Sequence, residues 1–135
     1  MNWAIGVDVG GTAIKGVAAR DDGKILYQES FPTNDYSDTV DQWSARVRKI
    51  IDIFSERLNA EASAIGICSP GLASTDRRCI AYLPGKLQGL EGFDWTKALN
   101  RKTTVPVVND AHSALLGEIW VGSVAGMKDV VLLTL

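Results

Sequence analysis

Two clusters of residues carry potential chemistry in this chain of 135 residues. In the first, Asp8 is followed by Gly10, Gly11 and Thr12, and then by Lys15. Paired glycines are open to positive φ and let successive amide N–H groups point into one concavity that holds phosphate oxygens. Thr12 adds a hydroxyl and Lys15 a cation. A carboxylate at Asp8, beside a cradled phosphate, can hold a magnesium ion directly or through water. A hairpin turn between two apolar runs explains the same glycines without any ligand, and the two readings are compatible. A Walker P-loop is excluded, because no longer glycine loop ending in Lys-Ser or Lys-Thr leads into a helix here. The second cluster is Asn109-Asp110, at the exit of the apolar run Val105 to Val108. Capping of the following helix requires one such residue, not both. A carboxylate at the carboxyl end of a buried strand is placed to take a proton from a substrate hydroxyl. His112, in the first turn of that helix, is assigned no catalytic role.

These residues need a frame. Ile5, Val7 and Val9 alternate as a first strand; Ala13 to Arg20 reads as a second, and the Asp21-Asp22-Gly23-Lys24 turn leads to a third, Ile25 to Phe31. The result is an antiparallel meander. Val40, Trp43, Val47, Ile50, Ile51, Phe54 and Leu58 recur at helical spacing and predict an amphipathic helix, with Ser37 or Asp38 as its cap. Ser63 to Ser69 is a short buried strand stopped by Pro70-Gly71, a turn at a strand's carboxyl end, where open α/β folds place ligands. From Leu72 to Gly92 the chain is loop-like and long enough to suggest a working loop, with a short strand at Cys79 to Leu83. Asp94 caps a helix running to about Arg101, Val105 to Val108 is another strand, and a helix covers Ala111 to Val121. Asp129 to Leu135, DVVLLTL, reads as a final buried strand.

Composition narrows the function classes. Hydrophobic residues make up 46 % of the chain and the net charge is −2, so no basic field draws nucleic acid or an anionic membrane. Arg77-Arg78 reads as part of a solvated loop. Two cysteines, Cys68 and Cys79, form neither a disulfide framework nor a zinc pattern, which fits a reducing cytoplasm. No leader or membrane-spanning run is apparent in the sequence.

The stretch DVGGTAIKG resembles the first phosphate motif of the actin-like sugar kinases, in particular the ROK family of repressors and kinases. GICSPGL, LPG, EGFDW, VPVVNDAHSALLGEIWVG and MKDVVLLTL follow in the family's order. The resemblance implies an α/β, RNase H-like (actin-like ATPase) lobe: a five-stranded mixed sheet that begins with the meander and carries packed helices. It implies that Asp110 is the general base, that Asn109 and Gly71 bind sugar together with Asp110, that Asp8 holds magnesium, and that Gly10, Gly11, Thr12 and Lys15 cradle phosphate. The implied donor is ATP with magnesium, or polyphosphate, since Ala13 followed by Ile-Lys-Gly also resembles polyphosphate-using glucokinases. The implied acceptor is a sugar, glucose first, and assembly as a homo-oligomer is compatible with it.

By the same resemblance, residues 1–122 form an N-terminal sugar-kinase lobe, and 123–135 a connector with the first strand of an absent C-terminal lobe. A second glycine-rich phosphate motif, the base pocket, further sugar ligands and a structural zinc site belong to that lobe. Kinases of this type close two lobes around the substrate, so this segment alone is expected to be inactive or nearly so. The rivals are a regulatory ROK protein, disfavoured because no helix-turn-helix precedes Trp3, and a noncatalytic sugar-binding fragment.

Overall fold

The computed structural model describes residues 2–135. Its centre is a five-stranded mixed sheet in the order β3-β2-β1-β4-β7, built from β1 (Trp3–Val9), β2 (Ala13–Arg20), β3 (Ile25–Pro32), β4 (Ala64–Ser69) and β7 (Val107–Asn109). β1 pairs antiparallel with β2, and β2 with β3, which is the expected meander, whereas β4 and β7 run parallel to β1. A small hairpin, β5 (Leu72–Ala73) with β6 (Ile80–Tyr82), lies in the long loop.

Alternation along the strands decides which face is covered. Trp3, Ile5, Val7 and Val9 of β1, Ile14 and Ala18 of β2, and Ile65 and Ile67 of β4 are buried. Their partner is α1 (Val40–Leu58), whose Trp43, Val47, Ile50 and Phe54 are fully buried at helical spacing. The fit is close: a Cβ on Gly16 would lie 2.3 Å from Ile50 Cγ2. At one end of this core Trp43 packs against Phe93 and Trp95, with ring centroids 5.1 and 5.5 Å away. The long loop is thereby tied to α1 just before α2 (Trp95–Ala98).

Several expectations at element ends are corrected. The cap of α1 is Thr39, whose N–H donates to the Gln42 side chain at 2.7 Å, rather than Ser37 or Asp38. Asp38 instead accepts the Asn34 N–H at 2.8 Å and the guanidinium of Arg46 on α1, fixing the chain between β3 and the helix. Those bonds hold its carboxyl below the ordinary range, so the stability they supply is present above the unfolded value of 3.8 and is lost as pH falls through the folded value. Asp38→Asn should therefore flatten the acid limb of a Tm-against-pH curve, and an unchanged limb would refute the assignment. α2 ends at Ala98, not near Arg101, because Asn100 turns left-handed (φ 50). β7 begins two residues later than expected, since Pro106 has no N–H to donate to a ladder.

The largest departure is at residues 129–135, which form no strand. No described strand lies alongside to complete a ladder, and Val131, Leu133 and Leu135 are exposed. Among the described residues no helix is long and apolar enough to cross a membrane.

Candidate functional site

The three parallel strands bring the predicted residues to one edge. Register pairs Asp8 with Cys68 and Cys68 with Val108, while Ser69 faces Asn109. The carboxyl ends of β1, β4 and β7 are thus level, and the Gly10-Gly11 turn, the Pro70-Gly71 turn and Asp110 all leave from the same side of the sheet. That is where an open α/β sheet places its ligands. On the antiparallel side Asp8 pairs with Lys15, so cation, carboxylate and thiol stand in one row across β2, β1 and β4.

Asn109 is the N-cap of α3 (Asp110–Val121): its side-chain oxygen accepts the Ala111 N–H at 2.9 Å and the His112 N–H at 3.3 Å. Its amide donates to the Gly71 carbonyl at 2.8 Å, which ties the Pro-Gly turn to the start of the helix. Gly71 sits at φ 101, and a Cβ there would meet Tyr82 O at 2.7 Å, so only glycine fits. Asp110 begins the helix and is exposed. His112 contributes its backbone N–H to the cap.

The glycine turn differs from its expected geometry. Neither Gly10 nor Gly11 has positive φ. Their role is to leave room: a Cβ on Gly10 would lie 2.9 Å from Ala13 O, and one on Gly11 2.9 Å from Asp35 Oδ2. The Gly10 N–H closes the turn onto Ala13 O at 3.0 Å. Among the described residues the N–H groups of Gly11 and Thr12 have no protein acceptor.

Electrostatics couples the two landmarks. Burial raises the Asp8 carboxyl above its ordinary range, the charge of Asp110 raises it further, and the Cys68 thiol and Lys15 oppose the shift. The Cys68 thiol is pushed up to about 12, first by burial and then by the charge of Asp8, with the Ser113 hydroxyl of α3 opposing. For Asp8 the sign is the reverse of that for Asp38: the raised value gives stability below the unfolded 3.8 that is lost as pH rises through the folded value. Asp8→Asn should therefore raise the Tm of the metal-free chain at neutral pH; a lower Tm would refute this origin of the shift.

Two side chains in this region were not legible in advance. Cys68 shares the Asp8 face by simple alternation, and that spacing was the available signal. Asp35, which lies against Gly11, had none, because an irregular segment positions it. Beside the row of Asp8, Lys15 and Cys68, a groove of ≈ 700 Å³ extends along the sheet face opposite α1, past Gly66 and Val108 to Leu116 of α3.

The ROK family profile matches residues 4–135. The chain belongs to the ROK family. It is 33 % identical over 141 aligned positions to a glucokinase of Halalkalibacterium halodurans, covering 98 % of this chain and 41 % of that protein. Among solved structures it resembles an inorganic polyphosphate/ATP-glucomannokinase from Arthrobacter sp. strain KM, with TM-score 0.78, 29 % identity and coverage of 95 % of this chain and 52 % of that one. It also resembles a ROK family glucokinase from Streptomyces griseus in complex with glucose and AMPPNP, with TM-score 0.75, 25 % identity and coverage of 93 % and 38 %. The chain thus spans 41 % of that glucokinase's length. The mixed sheet with its initial meander is the architecture it shares with these kinases.

Proposed function

We propose that residues 1–122 are the N-terminal lobe of a ROK hexokinase, that 123–135 lead toward its second lobe, and that the intact protein transfers a phosphoryl group to a sugar hydroxyl. Asp110 is the general base: exposed at the head of α3, it takes the hydroxyl proton as the sugar oxygen attacks the terminal phosphorus. Asn109 and the Gly71 turn orient neighbouring hydroxyls. Gly10, Gly11, Thr12 and Lys15 receive the phosphates, with the N–H groups of Gly11 and Thr12 as the donors left open. The observation that carries the reading is the strand register, which levels the carboxyl ends of β1, β4 and β7 and brings Asp8, the Gly71 turn and Asp110 to one edge of the sheet.

Magnesium fits Asp8. A half-buried carboxylate with a raised pKa beside a second carboxylate gains from a cation. Among the described residues no three His, Cys, Asp or Glu side chains gather as a metal cage, and magnesium is ordinarily held by one or two carboxylates with water and substrate phosphates. When bound it would neutralise developing phosphate charge. Glucose is the favoured acceptor and ATP the favoured donor, supported by the names of the similar kinases; the glucomannokinase keeps polyphosphate as a second donor. A structural zinc belongs to the part of the family outside this chain. A homo-oligomer and a cytoplasmic setting complete the proposal.

The test uses the chain itself. Glucose titrated into labelled protein should shift the amide resonances of Gly71, Asn109 and Asp110, and manganese should broaden those around Asp8. Shifts spread evenly over the chain, or none at saturating sugar, would overturn the sugar site. Phosphorylation of glucose by the chain alone at rates typical of a kinase would overturn the two-lobe requirement.

A further inference from the structure

We propose that Asp35 is a positioning residue that couples the phosphate turn to the loop 83–91 on the sugar side; the proposal rests on the phosphate reading of Gly11 and Thr12 given above. The segment leaving β3 braces that turn at two points. The Thr33 N–H donates to Thr12 O at 2.8 Å, and the Asp35 carboxylate lies so close to Gly11 that a Cβ there would be 2.9 Å from Oδ2. The other oxygen, Oδ1, accepts the N–H of Leu87, 52 residues away in sequence.

Leu87 is the strained member of this contact. It is left-handed (φ 43), a conformation that disfavours a residue with a Cβ, while its side chain is 2 % exposed. Such a conformation persists where surrounding contacts over-determine it. Burial of the leucyl side chain and the Asp35 bond are two such contacts. From Leu87 the loop runs back to Leu83, whose Cβ lies within 3.0 Å of where a Gly71 side chain would sit. A continuous path thus runs from Gly11 through Asp35, Leu87 and Leu83 to Gly71, which Asn109 holds. A pocket of ≈ 470 Å³ opens along this path between Asp35, Tyr36, Lys86, Gln88 and Glu91. A ligand entering it touches loop and strut together.

This role makes an unusual prediction about sign. A carboxylate beside a phosphate site repels phosphate, so charge alone would make every neutral replacement of Asp35 tighten binding. A strut behaves differently: Asp35→Asn removes the charge yet keeps an acceptor for the Leu87 N–H, whereas Asp35→Ala loses both.

The experiment compares the chain and these two variants by amide hydrogen exchange and by titration with inorganic pyrophosphate followed at Gly11 and Thr12. Expected results are Leu87 exchange near wild type in Asp35→Asn and about tenfold faster in Asp35→Ala. Pyrophosphate should bind severalfold tighter to Asp35→Asn and more weakly to Asp35→Ala. Equal tightening in both variants, or unchanged Leu87 exchange in Asp35→Ala, would overturn the proposal. If pyrophosphate moves neither Gly11 nor Thr12 in the unmodified chain, the phosphate reading fails. The strut is then decided by Leu87 exchange and by whether Asp35→Ala displaces the ligand-free Gly11 resonance.

Discussion

Asparagine at position 110 should lower the turnover of a full-length protein carrying this chain by a factor of about 100 to 10,000, or about 2.7–5.4 kcal/mol of barrier, with the sugar KM within a few-fold of its starting value. The amide oxygen of asparagine can still accept the Ala111 N–H that Asp110 accepts at 2.9 Å, so the head of α3 keeps its local geometry. What it loses is the capacity to take a proton. Asn109 retains both its cap and its bond to Gly71, so the hydroxyl-orienting side of the site is undisturbed. The asymmetry between turnover and KM is therefore the diagnostic, read by steady-state kinetics with glucose and ATP. Turnover within tenfold of wild type would remove Asp110 as the base. A second readout is independent of activity: with one negative charge gone, the Asp8 carboxyl should move back toward its ordinary range, leaving burial as the remaining upward influence. Carboxyl resonances followed against pH in the chain alone would show it.

The second large effect is on stability. Trp43→Ala should cost about 3–5 kcal/mol, the range for a fully buried large aromatic side chain. Two neighbours, Phe93 and Trp95, face the lost ring across 5.1 and 5.5 Å and cannot both collapse into the space. For a chain of this size the Tm should fall on the order of 10–20 °C. Thermal and urea unfolding would measure it, and a loss below about 1 kcal/mol would mean that the cluster repacks. Because Phe93 and Trp95 end the long loop, Trp43→Phe, which keeps a ring, should preserve hydrogen-exchange protection at Leu87 while Trp43→Ala should not.

Where local pattern decided structure, the sequence was readable. Alternation in β1 and β2, the Asp21-Asp22-Gly23 turn and the seven apolar positions of α1 each belong to one element, and each was found where expected. The edge arrangement of Asp8, Pro70-Gly71 and Asn109-Asp110 was equally legible, because Asp8 lies near the end of one apolar run and the other two landmarks close two more. Residues 129–135 show what local pattern leaves out: their apolar alternation is strand-like, but a strand exists only with a ladder partner, and none lies alongside among the described residues. The glycine turn was assigned correctly as a turn, yet for a different cause. Its glycines are demanded by Ala13 O and by Asp35, and the second of these comes from 24 positions further along the chain. Cap assignment failed in a similar way, since Ser37, Asp38 and Thr39 are all chemically able to cap, and only the path of the chain out of β3 selects Thr39.

The long loop is anchored at both ends. Ser69 is held in register against Asn109, and Trp95 is locked into the aromatic cluster 26 residues later. Between these posts the chain runs largely outside the main sheet but is not free of it: Ile80, Leu87 and Leu90 are buried and the Arg77 carbonyl accepts the Val107 N–H, so exchange without moving Asn109 is open only at exposed positions such as Tyr82, Lys86 and Gln88. A lineage built on this frame can vary those exposed positions while keeping the buried anchors that hold Gly71 and Asn109. Grafting those positions from a relative with another sugar preference is the corresponding laboratory experiment.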